Sequence, residues 1–301
     1  MKRAVITGGT GAIGTAIIKN LIDKGVEVLV LCRKDSQRNS NIPESPLVKK
    51  AFCTLDEIAE FDADGYGSFD VFFHLAWAGT TGEARNDMYL QNLNVRYALD
   101  AVKLAKKFGC KKFVGAGSQA EYGYVKSKLT ATTPAFPESG YGIGKLCAGL
   151  MTKRLAEKLG LEHNWVRVLS VFGENDGKNS LIMSLIERLK SGQTPKLTKG
   201  EQIWDYLYSA DAAEAFRLVA EKGVSGRTYV LGSGSEVPLK DYIIKVRDII
   251  APEIEPEFGA IPYYENQAMY LSADISGISA DTGWRPVTGF EEGIKRIIES
   301  L

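Results

Sequence analysis

The stretch that decides the fold of the first half of the chain is Ala4-Val5-Ile6-Thr7-Gly8-Gly9-Thr10-Gly11-Ala12-Ile13-Gly14. A short apolar run leads into a glycine-rich turn, a helical apolar pattern follows to Gly25, and a second strand pattern covers 26–31. Glycines in such a βαβ unit allow a tight turn and close approach of the backbone to a pyrophosphate, which the helix N-terminus then holds. We therefore predict a dinucleotide site formed by Gly8, Thr10, Gly11, Ala12, Ile13 and Gly14.

The alternation of strand and helix patterns continues beyond this unit. Buried-strand runs occur at 70–76 and 112–117, and long helical patterns cover 84–108 and about 139–160. This order predicts an α/β fold with a doubly wound parallel sheet over residues 1–170, taking in about 200–222 as well. From Val171 onward the alternation ends, so we expect 171–301 to form a smaller, mostly helical and interleaved lobe.

Composition excludes several classes of function. The 301 residues carry 37 Lys+Arg and 37 Asp+Glu, so no basic surplus indicates nucleic-acid binding. No apolar run approaches the ~20 residues that span a bilayer, and no signal peptide is evident, so a cytoplasmic protein is expected. The four cysteines show no CxxC spacing, which predicts reduced thiols and no metal site.

The end of the second strand bears on which dinucleotide is bound. Dinucleotide sites commonly have an acidic residue there to hold the adenosine ribose. Here Cys32 takes that place, and the cations Arg33, Lys34 and Arg38 follow. Arginine suits the 2′-phosphate of NADP, so NADP is predicted, with NAD as the alternative. A solvated basic loop would give the same pattern.

A tyrosine and a lysine four residues apart indicate redox chemistry. Tyr141 and Lys145 share one face of a predicted helix, and a nearby ammonium lowers the pKa of a phenol. A tyrosine tuned in this way exchanges a proton with a carbinol oxygen. Ser118 follows the strand at 112–117, at the edge where ligands bind in open parallel sheets. A half-buried packing tyrosine is the alternative for Tyr141.

Motifs along nearly the whole chain resemble one family. They are Thr7 to Gly14, His74-Leu75-Ala76, Asn94-Val95, Gly117 to Gly123, Tyr141 with Lys145, Val166 to Gly173 and Gly200 to Tyr206. The chain is similar to extended short-chain dehydrogenases/reductases, the NAD(P)-dependent nucleotide-sugar epimerases, dehydratases and reductases. The resemblance implies a Rossmann sheet, a substrate between sheet and lobe, and a homodimer joined by the helices at 84–108 and 141–159.

The resemblance also implies roles for individual residues. Tyr141 would be the acid/base, Lys145 would hold the nicotinamide ribose, and Ser118 would hydrogen-bond the reacting oxygen. The cofactor would be contacted or supported by further residues, namely Leu75, Ala76, Trp77 and Asn94. The substrate would be contacted by a second group, namely Thr80, Gln119, Ser170, Trp204 and Tyr264.

Two departures from the family pattern shape the functional prediction. Trp204 and Tyr264 stand where arginines usually hold a substrate diphosphate, and Gln119-Ala120 replace the Asp-Glu pair of sugar 4,6-dehydratases. The sequence therefore predicts reduction of a keto-sugar, most simply a nucleotide-linked 4-keto-6-deoxyhexose, by NADPH. A 4-epimerase with bound NAD is the close alternative, and a non-catalytic dinucleotide sensor is the alternative from another class.

Overall fold

A computed structural model describes residues 1–264 and 267–301 of the chain. The labelled elements follow one another as β1 (Arg3–Thr7), α1 (Ala12–Asp23), β2 (Glu27–Cys32), β3 (Val48–Phe52), β4 (Val71–His74), α2 (Met88–Lys107), β5 (Lys112–Ser118), α3 (Gly140–Leu159), β6 (Glu162–Val168), β7 (Ser170–Phe172), α4 (Leu181–Lys190), β8 (Lys196–Leu197), β9 (Ile203–Trp204), β10 (Tyr206–Tyr208), α5 (Ser209–Lys222), β11 (Thr228–Leu231), β12 (Val237–Pro238), α6 (Leu239–Ile250), β13 (Glu257–Phe258), α7 (Ser276–Thr282) and α8 (Phe290–Ser300). Short 3-10 turns lie at Gln37–Asn41, Ile58–Glu60, Glu83–Asn86 and Gln119–Glu121.

The main sheet has seven parallel strands in the order β11-β6-β5-β4-β1-β2-β3. In this order β2 and β3 follow β1 toward one edge of the sheet, and β5 and β6 follow β4 toward the other edge. The direction in which strands are added therefore reverses between β1 and β4. Their carboxyl ends meet in register at Thr7 and His74. A ligand crevice is expected at such a reversal point.

Helices cover both faces of the sheet, because successive strand residues point to opposite faces and those on both faces are apolar. Ala4 and Ile6 pack in one buried cluster with α1 and α5, whereas Val5 and Phe72 pack in a second cluster with α2 and α3. The predicted doubly wound α/β fold is confirmed.

The helices α4, α6 and α8 form a smaller lobe with its own core. Apolar residues of α4, α6 and α8 pack there with Phe172 and Tyr208, which come from β7 and β10. These two strands pair in parallel and connect the lobe to the carboxyl edge of the sheet. These helices therefore pack around a core of their own, and their chain is interleaved with that of the main sheet.

Two strands differ from the sequence prediction. β3 was not predicted, because its Lys49-Lys50 pair is exposed at the sheet edge and hides the apolar pattern. β11 was predicted within the second lobe, but it pairs with β6 and forms the other edge of the main sheet. Because α7 packs against β11 and α5 packs against β5 and β6, the main sheet and its helices take in more of the second half of the chain than 200–222.

Trp165 on β6 is buried in a space that three glycines leave open. A Cβ at Gly115 or Gly117 on β5 would overlap its indole, and one at Gly149 on α3 would lie 2.8 Å from Nε1. The glycines of β5 are therefore required by the size of this neighbour.

None of the helices in the described ranges is long and apolar enough to cross a membrane. A search of those same residues finds no cluster of three or more His, Cys, Asp or Glu side chains that could hold a metal ion. Among the cysteines, Cys32, Cys53 and Cys110 are buried and Cys147 is half-buried.

Candidate active site

The glycine-rich turn between β1 and α1 is shaped for a large group. Gly8 has φ +75°, and a Cβ there would lie 2.6 Å from the Ala76 nitrogen. A Cβ at Gly14 would overlap the Gly8 carbonyl, whereas one at Gly11 would have only the Gly8 oxygen nearby, at 3.9 Å. Gly11 caps α1 without a side-chain hydrogen bond, so the first amides of α1 are available to phosphate oxygens. The turn fits the pyrophosphate of a dinucleotide.

A cavity of about 620 Å³ lies beyond the carboxyl ends of β2 and β3 and is lined by Arg33, Lys34, Asp35, Ser36, Gln37, Phe52, Cys53, Thr54 and Glu57. Cys32, at the usual place of the acid, is buried as the last residue of β2. The Glu57 carboxylate accepts hydrogen bonds from the backbone and hydroxyl of Thr54, at 2.8 and 2.7 Å. Of the three predicted cations, Arg33 and Lys34 line this cavity.

Arg38 is placed elsewhere. Its Nη2 donates to the carbonyl oxygen of Asn175 at 2.9 Å, which links the 3-10 turn after β2 to the loop after β7. Arg38 is therefore not among the residues that line the cavity beyond β2 and β3, and its guanidinium joins these two loops instead.

Tyr141 and Lys145 lie one turn apart near the start of α3, as predicted. Ser139 caps this helix by accepting a hydrogen bond from Gly142 N at 3.1 Å. Lys145 is 3% exposed, its Nζ donates to Ala116 O at 2.7 Å, and the same atom lies 4.0 Å from the centroid of the Trp77 ring. Burial lowers the pKa of Lys145 to about 7. This ammonium is thus held between the end of β5 and the loop after β4.

The tyrosine is tuned differently from the prediction. Burial raises the pKa of Tyr141 above its ordinary value, while the Ser118 hydroxyl and the Arg85 charge act to lower it. The Nζ of Lys145 lies 5.8 Å from the centroid of the phenol ring, and its charge is not among the causes of the shift. The expectation that Lys145 draws the pKa of Tyr141 down is not met.

Glu121 is a residue of the site that sequence reasoning missed. It is fully buried and accepts hydrogen bonds from Ser118 N at 2.8 Å, Trp165 Nε1 at 2.9 Å and Arg167 Nε at 2.7 Å. Ser118 in turn accepts from Ala120 N at 3.2 Å, which leaves its hydroxyl proton free to donate. The pattern Ser118-x-x-Glu121 after a strand is a capping box, and this signal could have identified Glu121.

The loop after β4 is held by buried amides of α2. Asn94 is 1% exposed; its amide donates to Ala78 O at 2.9 Å and accepts from Ala78 N at 2.9 Å. Gln91 accepts from Trp77 Nε1 at 2.8 Å. Asn94 therefore orders the loop that carries Leu75, Ala76 and Trp77, and it does so from beneath that loop.

The predicted substrate residues are spread around the carboxyl edge of the sheet. Gln119 is half-buried directly after Ser118, and Ser170 pairs with Tyr206 at the start of β7. Thr80 is exposed, and its carbonyl accepts from Arg85 Nη1 at 2.9 Å. Trp204 is half-buried on β9, and Tyr264 is 67% exposed.

Asp205, between β9 and β10, is a second buried carboxylate to which the sequence assigned no role. It accepts hydrogen bonds from Ser233 N at 2.6 Å, Gly234 N at 2.9 Å and Ala273 N at 3.0 Å. The carboxylate thereby fixes the loop after β11 beside the lobe.

Comparisons with known proteins find similar chains along nearly the whole length. CDP-abequose synthase of Salmonella typhimurium is 26% identical over 99% of this chain and 97% of that protein. A putative UDP-glucose 4-epimerase of Methanocaldococcus jannaschii is 27% identical over 98% of this chain and 96% of that protein. Among solved structures, the UDP-N-acetylglucosamine 4-epimerase of Methanobrevibacter ruminantium shares the fold with a TM-score of 0.88 at 23% identity, covering 100% and 99% of the two chains.

A family model described as the NAD dependent epimerase/dehydratase family matches residues 4–232. The match includes the glycine-rich turn, Ser118, Tyr141 and Lys145. With the doubly wound sheet and the placement of these side chains at its carboxyl edge, the chain belongs to the NAD-dependent epimerase/dehydratase family, whose members among its relatives are enzymes that act on nucleotide sugars.

Proposed function

We propose that this enzyme reduces the keto group of a nucleotide-linked 4-keto-6-deoxyhexose with NADPH. The observation that carries the choice is the cavity beyond β2 and β3, where Arg33 and Lys34 line the wall and no acid ends β2. Arg33 would hold the 2′-phosphate by charge-assisted hydrogen bonds, and Phe52, 57% exposed, offers an aromatic face for the adenine. Similarity to a dTDP-4-dehydro-6-deoxyglucose reductase, 24% identical over 99% of this chain, supports a keto-deoxysugar as the substrate.

The side chains at the carboxyl edge supply the proton chemistry of a reduction. Bound NADPH supplies the hydride. Ser118 donates a hydrogen bond to the carbonyl oxygen, and Tyr141 gives that oxygen its phenolic proton as the carbon is reduced. Lys145 lies between Ala116 and Trp77, next to the crevice, where it would hold the ribose of the dinucleotide.

Dehydration is disfavoured by the residues after Ser118. Elimination of water needs a paired acid and base, whereas Gln119 and Ala120 carry no ionisable group. On the substrate side, Trp204 and Tyr264 replace arginines, and we propose that they bind the nucleotide by aromatic contact. Tyr264 is 67% exposed and Tyr124 is 50% exposed, so both rings are available for such a contact.

The assay is NADPH oxidation with a panel of CDP-, dTDP-, UDP- and GDP-linked 4-keto-6-deoxyhexoses. We expect turnover with at least one of them and none with the corresponding unoxidised hexose. Interconversion of UDP-sugars without added cofactor, with NAD released on denaturation, would replace the proposal by the 4-epimerase that the 27% identical relative suggests. Dinucleotide binding without any turnover would favour a sensor.

Arg33→Ala should remove most of the preference for NADPH over NADH. A lost charge-assisted hydrogen bond of about 1.5–3 kcal/mol corresponds to roughly ten- to hundred-fold in the affinity for NADPH. NADH affinity should stay unchanged, because NADH has no 2′-phosphate. Fluorescence titration of both cofactors measures the ratio.

Arg38→Ala is the matched control for that titration. Its guanidinium bonds to Asn175 O and does not line the cavity, so the preference should survive. A wild-type protein that prefers NADH, or an Arg33→Ala protein that keeps its preference, would contradict the assignment of NADP.

We further propose a homodimer formed by the outer faces of α2 and α3, which pack side by side. Large apolar side chains are exposed on these faces: Tyr89 and Leu93 on α2, and Ile143, Leu150 and Met151 on α3. Further along α3, Leu155 and Leu159 pack against the buried core instead. Exposed apolar surface of this extent is typical of an interface.

Light scattering should give twice the 32.9 kDa of one chain. Leu150→Glu should give the monomer mass with unchanged circular dichroism, because it places a charge in the proposed interface. Val287→Glu, at an apolar residue 86% exposed outside these helices, should leave the dimer intact. A monomeric wild type at micromolar concentration would remove this proposal.

A further inference from the structure

A guanidinium lies against the ring of the proposed acid/base. The Cζ atom of Arg85 is 4.4 Å from the centroid of the Tyr141 ring, whereas Lys145 Nζ is 5.8 Å from it. Arg85 belongs to the 3-10 turn at Glu83–Asn86 and is half-buried. The cation closest to the phenol ring therefore comes from the loop after β4 and not from the lysine of the same helix.

The position of this turn is fixed by hydrogen bonds to two helices. Asn86 Oδ1 accepts from Gly140 N at 3.0 Å at the start of α3, and Gln91 Nε2 of α2 donates to Ala84 O at 2.9 Å. The guanidinium itself donates to Thr80 O at 2.9 Å. Hydrogen bonds of its two chain neighbours, Ala84 and Asn86, thus hold Arg85 over Tyr141.

Several ionisable groups face this part of the site. Glu121, from the turn after β5, acts to raise the pKa of Tyr141, and Ser118 acts to lower it. Burial brings the pKa of Lys145 to about 7 and that of His74, on β4, to about 3, so the first is only partly charged at neutral pH and the second is neutral. Arginine stays charged throughout this range. Arg85 is the cation beside Tyr141 whose charge does not depend on pH.

We propose that Arg85 is a positioning residue that acts through Tyr141, stabilising the phenolate that remains when the proton has left. In the reduction the phenolic O–H bond breaks, its proton bonds to the substrate oxygen, and negative charge develops on the ring below the guanidinium. A cation over an aromatic ring is attracted to it, and more strongly when the ring is anionic. The inference rests on Tyr141 being the proton donor of the proposed function.

The test is the alkaline titration of Tyr141, read as the tyrosinate absorbance of each protein minus that of the same protein carrying Tyr141→Phe. Arg85→Met keeps much of the side-chain length and removes the charge, so the midpoint should rise by about one pH unit, a roughly tenfold loss of phenolate at a given pH. Arg85→Lys should keep most of the wild-type midpoint. Arg188→Met, at an exposed arginine of α4, is the control and should not move it.

The pH profile of turnover gives a second readout. A proton donor works while protonated, so the rate of reduction falls as pH rises through its pKa. Arg85→Met should therefore move the alkaline limb to higher pH and lower the maximal rate, and Arg85→Lys should restore both.

An unmoved midpoint in Arg85→Met, or an equal shift in Arg188→Met, overturns the inference. If Arg85→Met fails to fold, Arg85→Lys decides, because a shift of one unit in spite of the retained charge overturns it and a wild-type midpoint supports it. A shifted titration in a protein that reduces no keto-sugar supports the role of Arg85 and rejects the reductase. Turnover of a keto-sugar with an unmoved midpoint rejects Arg85 alone.

Discussion

Tyr141→Phe is expected to lower kcat of the reduction by about 10²–10⁴-fold, the usual contribution of a general acid. The substitution removes one oxygen and the proton that it carries. It keeps the aromatic ring, whose centroid lies 6.1 Å from that of Trp77 and over which the Arg85 guanidinium lies. The affinity for NADPH should stay within a few-fold of wild type. Stopped-flow reduction and cofactor titration measure the two quantities separately.

Tyr66→Phe is the matched control for this change. Tyr66 packs against Phe61 and Phe108 in the core beneath α2, away from the carboxyl edge of the sheet, so its hydroxyl should have no effect on kcat. Near wild-type turnover in Tyr141→Phe would remove the tyrosine from the mechanism, whichever direction the enzyme runs.

Glu121→Ala is expected to lower the free energy of unfolding by about 3–5 kcal/mol, as for a buried ion pair that loses one partner. The Arg167 guanidinium would remain buried without its partner, and Trp165 Nε1 and Ser118 N would lose their acceptor. Since Glu121 also acts to raise the pKa of Lys145, its loss should make that lysine more neutral at pH 7. Denaturant unfolding followed by fluorescence measures the stability.

Glu214→Ala tests whether burial is the cause. The side chain of Glu214, 33% exposed, pairs with Arg217 on α5, and loss of a solvent-screened partner of this kind costs about 1 kcal/mol or less. Glu121→Leu combined with Arg167→Met should recover much of the loss, because an apolar replacement of a buried pair leaves no charge unpaired. Equal losses in Glu121→Ala and Glu214→Ala would show that the network adds nothing to stability.

The sequence predicted those parts of the fold in which local pattern and tertiary position agree. β1, β4 and β5 are continuous apolar runs because both faces of the sheet are covered, and such runs are visible without a structure. β3 is an edge strand with exposed lysines, so its apolar signal is weak. β11 joins the main sheet because the outer edge of β6 is open to pairing, and the local sequence pattern does not encode which strands pair.

The candidate site divides in the same way. The spacing of Tyr141 and Lys145 predicted a shared helix face, since that is a property of the helix alone. The direction of the Lys145 side chain depends on its contacts with Ala116 and Trp77, which belong to other elements. No helix or strand periodicity in the sequence indicates the position of Arg85, because it reaches Tyr141 from a 3-10 turn within a loop. Contacts of this kind follow from tertiary packing.

The glycine pocket around Trp165 has a consequence for how this sequence can evolve. Gly115, Gly117 and Gly149 are far from residue 165 in the chain, yet each has to lack a side chain while the indole is present. An alanine at Gly115 or Gly149 is harmful until the tryptophan has become smaller, and an alanine at Gly117 also requires the Glu121 carboxylate, 2.5 Å away, to move. The order of mutations therefore decides which are accessible, and these four positions should change together or stay fixed in the lineage of this enzyme.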